Sequence, residues 1–469
     1  MRKIVIALSS ILFSTSIFVN QAIGQKISRT QRTITDLNTI HQALINNTMQ
    51  YLDKYPPFMN WLDNGLKKAK VLAKKVSTKA GYYYALSYYT SGFHNGHIRT
   101  SIGRLPYKYA GLLLKYQDGK YLVKYRSPNY QNLPPLKAEL ISCNGVSVQS
   151  IIDNDIISYR FIPKLESSYN QAANYLFFDA NPFRFYPKSC KFKINGDIKT
   201  YHINWHYLTM DQTDKIKKHF INNYSFCIKL FGKNGLWLSI PTLFPEGSQK
   251  QFMTMLVKLM PAFRSYDPIV IDVRGNSGGN SGWAERILAG LYGKCFLTQT
   301  IMKYDHSYEV YRVSKLNLAR KKWISNLYPE ESYVVKKLQA AYDKGKASIE
   351  FKPDYGKTVT DMLPKFYSHI YFLTDNACFS SCLDFADYIY WLPNTTHIGL
   401  PTNADSPYTE NNNFDLPGGA RFSYTMKVWR DRPRKNNQPY IPKYRYNGDI
   451  SNTKAVMRWV EWLYNQHKL

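Results

Sequence analysis

The chain has 469 residues, 44% of them hydrophobic and 20% charged, the balance of a folded soluble protein with two or three domains. No low-complexity tract or sustained short repeat appears, which excludes the solenoid and disordered classes. The formal charge of +29 favours acidic partners and contact with an anionic surface, lipid or lipopolysaccharide. The lysines and arginines are nevertheless scattered and interleave with no nucleic-acid motif, so specific nucleic-acid binding is not predicted.

At the N-terminus Arg2 and Lys3 precede an apolar stretch from Ile4 to Val19. Ala22-Ile23-Gly24 then places small residues where a signal peptidase cuts. Residues 1–24 read as a signal peptide cleaved before Gln25, and the mature protein as secreted or periplasmic. The rival reading is a membrane anchor, but the stretch is short for a span and polar sequence follows.

Residues 25–104 read as a helical region. Leu37, Ile40, Leu44, Ile45 and Met49 recur at helical spacing, Pro56-Pro57 breaks the run, Trp61 to Val76 resumes it, and Tyr82 to Tyr89 continues it up to Ser91-Gly92. Residues 105–207 read as a separate, mostly β module. Leu112 to Lys115, Tyr121 to Tyr125 and Ala138 to Cys143 are short strand-like runs. Asn144-Gly145 and Asn195-Gly196 are hairpin signals. From 225 to 469 the texture is α/β: strands at 235–240, 268–273, 370–374, 398–399 and 422–428, helices at 249–260, 283–291, 381–390 and 454–465. The run Pro268 to Val273 is apolar enough for a strand buried on both faces.

Six cysteines are too few for a disulfide scaffold. Cys143 and Cys190 fall in the same β segment and are the pair expected to bond. No Cys/His spacing suits zinc, so no metal and no cofactor is predicted.

Two strand-turn-helix corners carry chemistry. In Asp272-Val273-Arg274-Gly275-Asn276-Ser277-Gly278-Gly279 the glycines let the backbone turn sharply and bare its N–H groups. At the end of a buried strand such groups can hold an oxyanion. The spacing is neither of the two phosphate-loop patterns. In Thr374-Asp375-Asn376-Ala377-Cys378-Phe379-Ser380-Ser381-Cys382 a serine stands at the mouth of a helix, where positive potential favours an alkoxide. A serine there is also an ordinary N-cap.

Together the corners resemble the tail-specific, or C-terminal-processing, serine peptidase family. That family carries Asp-x-Arg-x-Asn-x-Gly-Gly after a buried strand and a Ser-Ala-Ala-Glu-like helix start roughly a hundred residues on. Asp272, Arg274, Asn276, Gly278 and Gly279 match every fixed position of the first motif. Phe379-Ser380 and Asp384-Phe385-Ala386 match the second, with Cys382 and Leu383 as departures. The hairpin at 138–146 resembles a strand pair of the family's PDZ-like domain. Asn95-Gly96-His97-Ile98 resembles its Asp-Gly-His-Thr segment, departing at Asn95 and Ile98.

The resemblance implies an α/β, crotonase-like (ClpP/crotonase) catalytic core with a PDZ-like β domain at 105–207 and a helical N-terminal region. It implies a serine endopeptidase acting on a polypeptide through an acyl-enzyme, with Ser380 as nucleophile and Ser381 as runner-up. The N–H groups of Gly278, Gly279 and Ser381 would form the oxyanion hole. The serine–lysine branch of the family is disfavoured, because the first lysine after Cys382 is Lys427. The histidine-base branch, which resembles tricorn protease and chlamydial protease-like activity factor, points to His97 as base, with His94 as alternative. Those relatives orient the base with a distal glutamate. None occurs in 434–439, and Gln438 is the expected substitute. Related enzymes are often dimers, so a homodimer is a further expectation. The missing glutamate and Leu383 leave an alternative open, a catalytically weak or inactive member of the family that binds peptide or lipid.

Overall fold

The computed structural model describes residues 28–220, 222–353 and 363–466. The signal-peptide segment, residues 1–24, lies outside the described residues. No described helix is long and apolar enough to cross a membrane.

The centre of the C-terminal half is a six-stranded sheet. Cys227–Phe231 pairs antiparallel with Gly235–Ser239. Beyond it lie Ile269–Asp272, Ile370–Thr374, Thr395–Gly399 and Tyr444–Arg445, all parallel. Successive strand side chains alternate between the two faces. Leu236, Leu238, Ile269, Ile271, Ile370 and Phe372 therefore pack on one side, against the helices Ser248–Leu259, Gly282–Tyr292 and Ser381–Trp391. Trp237, Val270, Tyr371, Leu373 and Ile398 face the other side, where Val456, Val460 and Leu463 of the helix Thr453–Gln466 cover them. Both faces are buried, which is why the strand sequences read as near-continuous apolar runs.

The N-terminal helices Arg29–Asn47, Pro56–Ala73 and Lys79–Ser91 follow the apolar spacing, and Pro56 opens the second of them rather than merely ending the first. They share one core with Phe422, Tyr424 and Met426 of the long strand Arg421–Arg430. That strand lies in a second, five-stranded sheet with Arg99–Ser101, Tyr308–Arg312, Ser348–Phe351 and Tyr408–Asp415. Residues 29–101 are thereby built onto the C-terminal part of the chain.

Residues 112–202 form a third sheet from Leu112–Gln117, Lys120–Arg126, Glu139–Cys143, Val146–Ser147, Ser189–Ile194 and Asp197–His202. Both Asn-Gly turns lie where the sequence places them, with positive φ at all four residues. Cys143 and Cys190 sit opposite each other on paired strands and are bonded. The sequence reading missed the helices between 148 and 175, among them Glu166–Tyr175. The first of them begins at Val148, directly after the hairpin, and is capped by Ser147. It also missed the segment 294–351, which adds three helices and two strands.

The Asp-x-Arg pair of the glycine corner is a fastener. The Arg274 guanidinium donates twice to the Asp272 carboxylate, at 2.8 and 2.7 Å, and also to the Ile450 carbonyl and the Thr453 hydroxyl. It ties the end of the central strand to the C-terminal helix. Both residues are 1% exposed. Arg274→Ala should therefore lower unfolding free energy by about 3–5 kcal/mol, because it leaves a buried carboxylate without its counter-charge. Urea denaturation of the variant beside the parent measures this directly, and a loss under about 1 kcal/mol would contradict the buried pairing.

Candidate active site

Adjacent parallel strands end at the same edge of a sheet. Ile269–Asp272 and Ile370–Thr374 pair in register, Asp272 opposite Leu373. The two corners that follow them, a hundred residues apart in sequence, therefore leave the sheet side by side at its C-terminal edge, where open α/β sheets bind ligands. Asn276 joins them. Its side-chain nitrogen donates to the Ile240 carbonyl, its side-chain oxygen accepts from Gly278 N–H, and its backbone carbonyl accepts from Phe379 N–H. Asp375 braces the corners from the other side, accepting from the N–H groups of Gly275 and Ala377 at 3.0 Å.

Ser380 is the residue preceding the helix Ser381–Trp391. Its backbone angles are φ 57° and ψ −125°, a conformation that a residue with a Cβ rarely adopts, and its side chain makes no capping bond. The ordinary N-cap role is thereby excluded, since a capping serine has extended backbone angles and bonds an N–H of the first turn. Gly278 packs against this turn: a Cβ added there would lie 2.9 Å from the Ser380 Cβ and 3.0 Å from the Ser381 nitrogen. At φ +143° Gly279 runs so close to Leu243 that a Cβ would fall 2.1 Å from its carbonyl carbon.

His97 approaches from the N-terminal part of the chain. Arg99–Ser101 pairs with Arg421–Ser423, which fixes the segment on the second sheet. Asn95 then turns it: its side-chain oxygen accepts from His97 N–H at 2.9 Å, and its side-chain nitrogen donates to the Tyr408 carbonyl at 3.1 Å. The His97 ring lies 4.9 Å from the Phe379 ring, centre to centre, and its Nε2 is 3.4 Å from Ser380 Oγ. The ring is buried, and its Nδ1 has no hydrogen-bond partner among the described residues.

The structure thus brings Ser380, His97, Gly278, Gly279 and Ser381 together, with two refinements. The Ser381 hydroxyl is occupied, donating to the Gly279 carbonyl at 2.8 Å, so Ser380 carries the hydroxyl that faces an imidazole. The N–H of Gly278 is also occupied, by Asn276, whereas the N–H groups of Gly279 and Ser381 bond to no described group. Gly278 gives the turn clearance, and the other two each leave an N–H without a described partner. His94 is exposed and lines a groove of about 420 Å³ with Ile162, Leu165, Pro401 and Ile441.

Gln438 is not brought to His97. It is exposed, and its side-chain oxygen accepts from Lys435 N–H at 3.1 Å, closing its own turn. The assignment of Gln438 as the orienting group is corrected on this point. The stretch expected to hold a glutamate holds the buried Arg434, which is paired with Asp384, Asp387 and Asp405. Asp405, which also pairs with Arg432 at 3.0 Å, is the carboxylate that attracts a proton on His97 most strongly. Sequence reasoning passed it over, because nothing local distinguishes it from a solvated aspartate. It also passed over the bond between Cys378 and Cys382, whose i, i+4 spacing at a helix start was the available signal. Among the described residues, no group of three or more His, Cys, Asp or Glu side chains could hold a metal ion.

No protein-family model and no curated protein matches the chain. Solved structures do. Mature CPAF complexed with lactacystin matches with a TM-score of 0.63 at 14% identity, over 93% of this chain and 98% of that one. Mature CPAF in a second structure matches with 0.61 at 14% identity, over 94% and 99%. A serine-to-alanine mutant of CPAF matches with 0.61 at 12% identity, over 93% and 97%. The chain shares the fold of these proteins over nearly its whole length.

Burial drives the His97 pKa down to about 4, because the imidazolium would lose its water, and the attraction of Asp405 offsets this only in part. An unfolded histidine titrates near 6.5. Between these values the unfolded chain binds more protons than the folded one, so stability falls as pH is lowered from about 6.5 towards 4. The slope attributable to one such histidine is at most on the order of 1.4 kcal/mol per pH unit. His97→Gln should flatten the dependence by that share in denaturation curves taken at pH 7, 6 and 5. An unchanged slope would mean that His97 is not held neutral by burial.

Proposed function

We propose that the protein is a serine peptidase that hydrolyses peptide bonds through an acyl-enzyme. The observation that carries the reading is the approach of Ser380 Oγ to His97 Nε2, from opposite ends of the chain, beside the unoccupied N–H groups of Gly279 and Ser381. The shared fold with CPAF supports it. We read the parallel sheet and its helices as a crotonase-like core, and the antiparallel module at 112–202 as PDZ-like. Export is part of the proposal. The two disulfides, Cys143–Cys190 and Cys378–Cys382, support it, since such bonds persist in oxidising compartments.

In the first step Ser380 Oγ bonds to the scissile carbonyl carbon, and its proton passes to His97 Nε2. For Nε2 to accept, the neutral ring carries its proton on Nδ1. The carbonyl oxygen becomes an oxyanion and is received by the N–H groups of Gly279 and Ser381. Collapse expels the amine, which takes the proton back from His97. Water then repeats the sequence on the acyl-serine and releases the carboxylic acid. A separation of 3.4 Å is long for a working hydrogen bond, but such contacts commonly tighten only when substrate arrives. A base with a pKa near 4 is wholly neutral at pH 7, yet it takes a proton less readily than one poised at 7, so turnover is slow.

Labelling of Ser380 by a fluorophosphonate, located by peptide mass mapping, tests the reading. Ser380→Ala should abolish labelling. His97→Ala should slow it by about 10²–10⁴, the usual worth of a general base. Gln438→Ala should leave it within about twofold. The second-order labelling rate of the parent should rise with pH through a midpoint near 4 and stay level to neutrality. Lactacystin, which is bound in a CPAF structure, should compete with the label. An unlabelled Ser380 in folded protein would remove the peptidase assignment.

A further inference from the structure

Cys378 and Cys382 flank the candidate nucleophile and are bonded to each other, with Cα atoms 5.3 Å apart. The covalent ring closes over Phe379, Ser380 and Ser381, and each of these three touches the site. The Phe379 ring lies against His97. Ser380 presents its hydroxyl to the same imidazole. Ser381 fastens the turn to the Gly279 carbonyl and keeps its own N–H unoccupied. Both cysteines are fully buried in the core beneath the parallel sheet, so the ring is anchored on its inner side and its other side faces the chemistry.

The turn needs such an anchor. Ser380 holds a positive φ without being glycine, and the helix after it starts with no capping side chain. The hydrogen bonds that define the turn are long: Phe379 N–H to Asn276 carbonyl at 3.3 Å, Cys382 N–H to Phe379 carbonyl at 3.2 Å, and Asp384 N–H to Ser380 carbonyl at 3.3 Å. Three shorter bonds complete them: Leu383 N–H to the Ser380 carbonyl at 2.7 Å, the Ser381 hydroxyl to the Gly279 carbonyl at 2.8 Å, and Asn403 N–H to the Cys378 carbonyl at 3.0 Å. If the ring were open, an extended backbone at residue 380 would let its hydroxyl cap the helix, and the hydroxyl would turn away from His97.

We propose that the Cys378–Cys382 disulfide is a positioning element of the active site, holding Ser380 at the backbone angles that present its hydroxyl to His97 and the Ser381 N–H to the oxyanion. The inference rests on the acyl-enzyme reading above. The sulfurs touch none of the reacting atoms and act only through the turn.

The test compares fluorophosphonate labelling of the full mature chain with that of two variants, Cys378→Ala/Cys382→Ala and the better-filled Cys378→Ala/Cys382→Val. A control, Cys143→Ala/Cys190→Ala, opens the other disulfide, which lies in the core of the β module and not in that of the parallel sheet. Limiting labelling rate and apparent affinity are separated by varying reagent concentration, at a temperature where circular dichroism shows every protein folded. In a folded 378/382 variant the limiting rate should fall at least tenfold with apparent affinity within threefold, and the control should keep the parent's rate. A limiting rate within twofold of the parent overturns the inference and leaves the peptidase reading intact. Equal slowing in the control overturns it too, as does failure of both 378/382 variants to fold, which would assign the bond to stability. A parent that is not labelled at Ser380 removes the peptidase reading itself, and the inference with it.

Discussion

The parallel pairing of Ile269–Asp272 with Ile370–Thr374 is the constraint on which the site depends. A register fixed by two buried faces admits no slip, because a shift of one residue would exchange Val270 and Tyr371 for Ile269 and Ile370 and turn each face inside out. With that register set, the chain must leave both strands at the same edge. One exit turns through glycines and the other through Ser380. The distance between them is then decided by what can fit, and Gly278 fits because a side chain there would meet the Phe379 carbonyl at 2.7 Å.

Around this pair the polar residues divide the work. Asp272 lies at the strand end and holds Arg274, whose guanidinium reaches the C-terminal segment and not Ser380 or His97. Asn276 spends both of its side-chain groups on backbone, one of them on the N–H of Gly278. Asp375 holds the nucleophile loop against Gly275. The helix Glu166–Tyr175 of the β module also reaches this loop, where Asn170 donates to Asn376 and Ser167 to Asn403. Residues that a motif groups together thus serve different neighbours, and the proposed chemistry is left to a hydroxyl, an imidazole and two N–H groups.

Much of this was legible in the sequence, and the reason is local. Strands buried on both faces write themselves as apolar runs, as in Ile269–Asp272 and Ile370–Thr374, and sharp turns demand glycine. Asn144-Gly145 and Asn195-Gly196 announce their hairpins for the same reason. Non-local features were not legible. The strand Arg421–Arg430 joins the N-terminal helices to the rest of the molecule, and its partners Arg99–Ser101 and Tyr308–Arg312 carry no signal of each other. Gln438 matches the expected orienting group only in its place along the chain, and a side chain in a closed turn satisfies its nearest backbone donor first. Asp405 acts on His97 through space, and its importance comes from burial, which sequence does not display.

The state of His97 follows from a contest between burial and charge. Removing an imidazolium from water costs several kcal/mol unless a counter-charge lies against it. The carboxylate best placed to supply that charge, Asp405, is itself held by Arg432 and Arg434, so two guanidiniums draw on its field before the imidazole does. Arg434 also binds Asp384 and Asp387, which leaves the cluster near balance instead of strongly negative. Desolvation therefore wins, and the ring stays neutral with Nδ1 unpartnered. A neutral ring facing a serine can accept a proton over a wide range of pH. In the proposed reaction little charge would steady the imidazolium, so most of the transition-state stabilisation would fall to the N–H groups of Gly279 and Ser381, whose placement depends on the backbone at Ser380.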